Sequence, residues 1–221
     1  MPFQLFQAIR DLGLPTPRGV LQVGASYGQE MKWFIDNGIE GGVFIEPLAE
    51  PFRVLSESCR MRANFVAVNA LCGAESGQRV SFHVASNGGM SSSMLKPANH
   101  LQQFDFVRFD DPIELVTNRL DHVVEFVHKH GHTGACDGLD LLYMDTQGAE
   151  LQVLKGAGAV LDRINFVLTE VTRNRMYDGA PVLGELMAYL EPQGFTLNNV
   201  NFDQHHHGDA LFVRNRALRI Q

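Results

Sequence analysis

The sequence has little cysteine, little positive charge and no long apolar run. Its three cysteines, Cys59, Cys72 and Cys136, are widely spaced and odd in number. That excludes a disulfide framework and a Cys-x-x-Cys metal pair, and points to reduced thiols. No stretch approaches the roughly 18–20 uninterrupted apolar residues of a membrane span, and residues 1–10 lack the charged-then-apolar layout of a secretory signal. The expected compartment is the cytoplasm. With 18 Lys+Arg against 25 Asp+Glu, the formal net charge is −7. Without a basic run, such a chain binds nucleic-acid backbones poorly and anionic membrane surfaces poorly. A 45% hydrophobic, 19% charged composition excludes a disordered or fibrous chain. There is no internal repeat and no linker, so one domain is expected over residues 1–221.

What is present is an alternation of buried strands and helices. Phe3, Phe6 and Ile9, with Leu5 and Leu12, repeat at helical spacing before Gly13 and predict a short helix over about 1–13. Gly19–Val23 reads as a strand, Gly24–Gly28 as a glycine turn and Gln29–Asn37 as a helix. Val43–Ile45 is a second strand, ending at Glu46-Pro47. A helix around Phe52–Arg60 leads to a third, Phe65–Val68, ending at Asn69-Ala70. This pace predicts βαβ units and a parallel sheet covered on both faces. After an extended Arg79–Ala85, residues 86–112 have no clean period, and a loop that long reads either as a lid over a site or as an excursion capping the sheet. Extended Ile113–Arg119, a helix from Asp121, strand Leu139–Met144, helix Gly148–Leu161, strand Ile164–Val171 and helix Val182–Leu190 follow. Two consecutive strands close the chain, Phe195–Phe202 and Asp209–Arg214, joined by a turn carrying His205, His206 and His207. Strands without a helix between them imply an antiparallel hairpin at the end of the sheet.

Several residues fall where such sheets bind ligands. Gly24 and Gly28 follow the first strand and open the first helix, where backbone approaches a nucleotide and helix N–H groups face it. A dinucleotide fingerprint starting at Gly24 would need glycine where Ser26 and Gln29 stand, and no P-loop lysine follows. Glu46 ends the second strand 22 residues after Gly24. An acidic residue near that offset accepts hydrogen bonds from both hydroxyls of a ribose. Asp145 ends the fourth parallel strand, where a carboxylate can orient a substrate hydroxyl, accept its proton or hold a cation. Glu170 ends the next strand at the same edge and is a second candidate for substrate orientation. Glu150 reads either as a first-turn carboxylate favoured by the helix dipole or as a catalytic one. His128, His130 and His132 lie near a helix end, and contiguous His205–His207 in a turn do not converge on one ion, so no metal site is expected.

Taken in order, Val20-Leu-Gln-Val-Gly-Ala-Ser-Tyr-Gly28, Phe44-Ile-Glu-Pro47, Asn69-Ala70, Asn118-Arg-Leu-Asp121 and the run Asp140–Ala157 resemble the FkbM-type methyltransferase family. The most specific stretch is Asp145–Ala157, which is similar to that family's Asp-Val-Glu-Gly-Ala-Glu, then Val-Leu-Lys-Gly, signature. The resemblance implies a class I, Rossmann-like α/β three-layer sandwich, mostly parallel with a C-terminal antiparallel hairpin. It implies an S-adenosylmethionine-dependent O-methyltransferase acting on a hydroxyl of a sugar or polyketide-like natural product. By that resemblance Gly24, Ala25 and Gly28 line the methionine and ribose side of the cofactor and Glu46 holds the ribose, with Gln22, Ser26, Pro47, Asn69 and Ala70 completing the cofactor set. Asp145 and Glu170 form the catalytic set. Gln22 stands where the family usually has aspartate, and Ser26 where it has asparagine. A neutral Gln22 cannot make a charge-assisted contact to the methionine ammonium, so lowered cofactor affinity is expected. Thr146-Gln147 replace valine and glutamate, which removes one family carboxylate. Two rival readings remain at this point, a non-catalytic nucleotide-binding domain of the same fold and an NAD-dependent oxidoreductase. The expected partner is a small hydroxyl acceptor rather than nucleic acid or membrane, and a homodimer is compatible with the reading.

Overall fold

The computed structural model describes residues 5–204 and 206–219. Its strands are β1 (Gly19–Val23), β2 (Gly41–Ile45), β3 (Phe65–Val68), β4 (Leu71–Cys72), β5 (Arg79–Phe82), β6 (Ile113–Asn118), β7 (Leu139–Met144), β8 (Phe166–Thr172), β9 (Phe195–Val200) and β10 (His207–Arg214). The helices are α1 (Leu5–Asp11), α2 (Met31–Asp36), α3 (Ala49–Arg60), α4 (His100–Gln103), α5 (Leu120–Lys129), α6 (Thr133–Cys136), α7 (Glu150–Lys155) and α8 (Leu183–Leu190).

Seven strands form one sheet in the order β3-β2-β1-β7-β8-β10-β9. β3, β2, β1, β7 and β8 run parallel, and β10 pairs antiparallel with both β8 and β9. The terminal hairpin is therefore as the sequence predicts. Every residue of β1 and β2 is buried, because both faces of the sheet are covered. Side chains alternate between the two faces, with Leu21, Val23, Val43, Ile45, Leu142 and Met144 in one core cluster. Val20, Phe44, Leu141 and Tyr143 lie in the other. Strand periodicity of two thus feeds two cores from one set of strands. On the first side α5 contributes Leu120, Val123, Val124 and Val127, one helical face. On the second lie Leu5, Phe6 and Ile9 of α1, Phe34 of α2 and Leu55 of α3.

Some boundaries differ from those read in the sequence. The helix expected over Gly148–Leu161 ends at Lys155 and gives way to a 3-10 segment, Gly158–Arg163. The break falls at Gly156-Ala157-Gly158, with Gly158 at φ +47° and glycine, a helix former poorer than any residue but proline, at two of three positions. A small second sheet, β4-β6-β5, pairs the two extended stretches read in the sequence at Arg79–Ala85 and Ile113–Arg119 with a third strand that was not read there. Its β4 is too short to show a period. Residues 1–4 of the expected N-terminal helix and His205 lie outside the described residues. No described helix is long and apolar enough to cross a membrane. All three cysteines are free and buried.

Candidate active site at the carboxyl edge of the sheet

Strand order reverses between β1 and β7, so the connections leaving their carboxyl ends diverge and open a crevice. A cleft with about 930 Å³ of empty space, part of it open to solvent, lies there. Gln22, Gly24 and Ser26 reach it from β1 and its turn, Glu46 and Pro47 from the end of β2, Ala70 from the end of β3, and Asp145 from the end of β7. Gly24 fixes the floor. At φ +79°, a Cβ added to it would sit 1.9 Å from the carbonyl oxygen of Asp145, so β1 and β7 close at this edge only around a glycine.

Glu46 is buried at 5% exposure. One carboxylate oxygen accepts the Ser26 N–H at 2.9 Å and the other the Leu48 N–H at 2.8 Å. Burial raises its pKa and these two bonds oppose the rise. Each oxygen accepts one of these bonds and has capacity for another, and Glu46 lines the cleft, where a carboxylate can accept from both hydroxyls of a vicinal diol. Ser26 makes its bond from a left-handed backbone, φ +46°, which supports the position of Glu46 at some conformational cost.

The predicted residues separate into two groups. Gln22, Gly24, Ser26, Glu46, Pro47, Ala70 and Asp145 line the cleft together. Ala25 does not. Its side chain is fully buried in the second core cluster, because the chain has already turned down toward α2. Gly28 is a turn residue at φ +80°, where an added Cβ would lie 3.0 Å from Leu55 Cδ1. Asn69 acts from outside, donating its side-chain amide to the carbonyls of Glu46 (2.8 Å) and Pro47 (3.0 Å). It holds the loop that carries the carboxylate.

At the β7 and β8 ends, Asp145 and Glu170 meet through one side chain. Gln147 Nε2 donates to Asp145 Oδ1 at 2.8 Å and to Glu170 Oε2 at 2.9 Å. Its Oε1 accepts the Tyr177 hydroxyl at 3.0 Å. Gln147 itself is left-handed, φ +53°. Asp145 opens into the cleft yet is crowded by protein on its other sides. Desolvation raises its pKa, Gln147 opposes the rise, and Glu150, Glu30 and Asp209 add to it. Glu170 is raised well above the ordinary carboxylate range by desolvation and then by Asp145, Glu150 and Asp209. Asp209 stands opposite Glu170 in the antiparallel β8–β10 ladder, where like charges repel. Glu150 is buried and bonded within its own turn. One of its oxygens accepts the Thr146 N–H, the Thr146 hydroxyl and the Gly148 N–H at 2.9–3.1 Å, tying off the turn that opens α7.

A second, smaller hollow of about 320 Å³ lies beyond Gln147, lined by Glu170, Thr172, Met176, Tyr177 and His207 among others. Gln147 belongs to both walls. Part of the 86–112 segment lies against this region. Gly89, Met90, Ser92 and Met94 line the cleft, Ser93 Oγ donates to the Gln147 carbonyl at 2.8 Å, and the Ser91 carbonyl, 2.8 Å from the Tyr177 hydroxyl, shares that hydroxyl's one proton with Gln147 Oε1. The loop is one wall of the site.

Sequence reasoning missed Glu30 and Tyr177. Glu30 had a signal, since the first residues of a helix that follows a tight glycine turn return to the strand end. Tyr177 had none, lying in the connection between β8 and α8 and reaching the site only through the fold. His128 and His130 sit at the exposed end of α5, with the His130 ring nitrogen 2.8 Å from the Phe126 carbonyl. Among the described residues no three His, Cys, Asp or Glu side chains could hold a metal ion together.

The chemistry of the lining tests the cofactor implied by the sequence. The cleft carries three carboxylates, Glu30, Glu46 and Asp145, and no Lys, Arg or His among its described lining residues. Such a wall repels a dinucleotide's pyrophosphate and suits a ligand bearing a sulfonium and an ammonium. Apolar Leu48, Leu71, Phe82, Met90 and Met94 offer flat contact for a purine. The donor set fits S-adenosylmethionine.

Comparison with known proteins gives the same direction. The family model for the methyltransferase FkbM domain matches residues 22–197. The 2-O-methyltransferase NoeI of Sinorhizobium fredii (strain NBRC 101917 / NGR234) is 30% identical over 195 residues, covering 83% of this chain and 75% of that protein. Among solved structures, methyltransferase FkbM from Methylobacillus flagellatus KT superposes with a TM-score of 0.57 at 15% identity, over 91% of this chain and 45% of that one. The chain thus spans less than half the length of that structure. A putative RNA methyltransferase, PH1948 of Pyrococcus horikoshii, gives 0.50 at 13% identity, over 96% of this chain and 82% of that one. At these identities the structural matches show a shared fold.

Proposed function

The chain belongs to the FkbM methyltransferase family, enzymes that use S-adenosylmethionine, and from that premise we propose that it methylates a hydroxyl oxygen of a sugar or natural-product-like small molecule. The observation that carries this reading is the amide of Gln147 held between Asp145 and Glu170 at 2.8 and 2.9 Å. An alcohol is a weak acid, and its oxygen becomes a competent nucleophile only as its proton is taken. Two crowded carboxylates with raised proton affinity at the rim of the cofactor cleft supply that acceptor. The 2-O-methyltransferase relative is a further support for oxygen as the methylated atom.

S-adenosylmethionine, when bound, supplies an electrophilic methyl group on a cationic sulfur. Glu46 holds the ribose hydroxyls, kept in place by Ser26, Leu48 and Asn69. Asp145 receives the acceptor hydroxyl and takes its proton, and Glu170 shares that proton through its proximity. Gln147 fixes the separation of the two carboxylates. Family glutamate at this position would put a third negative charge between them, so the substitution that reads in the sequence as a lost carboxylate acts here as a neutral spacer. The acceptor lies on the Glu170, Tyr177 and His207 side, where hydroxyl, imidazole and carboxylate groups alternate with Met176, a mixture suited to a polyhydroxylated ring. Met90 and Met94 exclude water from the reacting groups.

The test is methyl transfer from cofactor labelled with carbon-13 in its methyl group to a panel of saccharides, glycosides and aliphatic polyols, read by NMR. The expected product is a labelled methyl ether. Label on nitrogen or carbon, or saturable cofactor binding with no hydroxyl acceptor methylated, overturns the assignment.

A further inference from the structure

The aspartate that the family usually places at the end of the first strand is Gln22 here, yet the cleft does not lack its charge. Gln22 is completely buried. Its Nε2 donates to Glu30 Oε2 at 3.1 Å, which fixes the amide, since the flipped amide would set an oxygen against a carboxylate oxygen. The other end of the amide, Oε1, is buried with no hydrogen-bond partner. Both residues line the cleft. A buried acceptor without a donor is a rare feature in a folded protein, and at a binding site it marks a place where the ligand donates.

Glu30 reaches this point because the chain turns tightly after β1. Gly28 N–H bonds to the Ala25 carbonyl at 2.8 Å and Met31 N–H to the Gly28 carbonyl at 3.1 Å, which starts α2 directly beneath the strand end. The Glu30 carboxylate is partly buried and forms no salt bridge among the described residues. Among the described residues, therefore, a carboxylate without a cation and an amide oxygen without a donor sit side by side in a cleft with no basic lining residue.

We propose that Glu30 is the counter-charge for the amino-acid ammonium of the cofactor, with Gln22 Oε1 as its second acceptor. The proposal rests on the family's cofactor and adds the residue that replaces the missing strand-end aspartate. An ammonium carries three N–H donors, enough for both groups. The charge has moved eight residues along the chain while staying at one place in space, and Gln22 has become the neutral link that holds it there.

Calorimetric titration of the full chain with S-adenosylhomocysteine, and with its deamino analogue lacking only the amino group, tests this. Losing a charged hydrogen bond costs about tenfold or more in affinity. The wild-type chain is expected to bind S-adenosylhomocysteine at least about tenfold more tightly than the analogue. Glu30→Gln is expected to remove that preference, weakening the first ligand and leaving the second unchanged. Gln22→Asp combined with Glu30→Gln, which returns the charge to the strand end, is expected to restore it. Equal weakening of both ligands by Glu30→Gln, or no weakening of either, overturns the proposal, and thermal unfolding of the same variant identifies a misfolded one, for which the double variant decides. Failure of the wild-type chain to bind S-adenosylhomocysteine at all would defeat the cofactor assignment itself, and is distinguishable because it precedes any substitution.

Discussion

At the β2 end of the sheet, Glu46 spends both carboxylate oxygens on backbone N–H groups of Ser26 and Leu48. At the β7 and β8 ends, Asp145 and Glu170 share one amide and repel each other. Both arrangements set acidic groups at the same sheet edge and raise their pKa through desolvation, and they differ in what works with or against that rise. Fixed backbone dipoles favour the charged form and make a rigid hydrogen-bond acceptor, as a bound ribose needs. Crowded like charges with few donors favour the protonated form and make a base, as an alcohol needs. The difference between the halves is a difference in donors per carboxylate rather than in residue type.

The comparison is broken most completely at Gly24, which belongs to both halves. A methyl group there at φ +79° meets the Asp145 carbonyl at 1.9 Å. Gly24→Ala is expected to cost about 3–5 kcal/mol of stability, measured by urea denaturation, and to abolish cofactor binding. Near-native stability would mean that the β1–β7 closure is not tight. A paired substitution sharpens the contrast. Asp145→Asn is expected to lower kcat by roughly 10²–10⁴-fold with S-adenosylhomocysteine affinity within about threefold, whereas Glu46→Gln is expected to weaken that affinity by about tenfold with a smaller effect on kcat at saturation. Equal effects of the two on binding would erase the division.

The smallest expected effect concerns pH. Because the Asp145–Glu170 pair holds its proton above the ordinary carboxylate range of about 4, the rate of methyl transfer is expected to rise with pH as the pair loses that proton. Glu170→Gln removes the like charge, so the acid limb of the rate profile should move to lower pH. Stability follows the opposite sign. With folded-state pKa values raised, the folded chain binds protons more tightly than the unfolded one, so stability is greatest below the unfolded carboxyl range and is lost as pH rises through the raised folded range. Glu170→Gln is therefore expected to raise Tm more at alkaline than at acidic pH, by the equivalent of up to about 1 kcal/mol for a cross-strand like-charge pair. A Tm gain that is flat across pH would show that Glu170 is not under charge stress.

Strand and helix alternation was legible because the parallel strands are short, mostly apolar runs ended by a polar or glycine residue, and Gly24, Glu46 and Asp145 stand at those ends by register alone. The break after Lys155 was less legible, since Gly156-Ala157-Gly158 continues the apolar spacing while its backbone does not continue the helix. Ala25 and Gly28 lie within a turn whose Gly24 and Ser26 line the cleft, yet their individual directions are set residue by residue. Gln22 and Gln147 read in the sequence as lost carboxylates, and the structure adds their partners, Glu30 for the first and Asp145, Glu170 and Tyr177 for the second.

The sequence by itself determined the class of fold, the edge of the sheet at which the candidate site lies and the strand-end residues placed there, because strand period and strand length fix which residues reach that edge. Only the tertiary structure decided what those residues do. It brought Glu30 under Gln22, Tyr177 onto Gln147 and Asp209 opposite Glu170, pairs separated by 8, 30 and 39 positions. Charge stabilisation falls off over a few ångströms and depends on which donors lie within that reach, a distance in space that no spacing along the chain records.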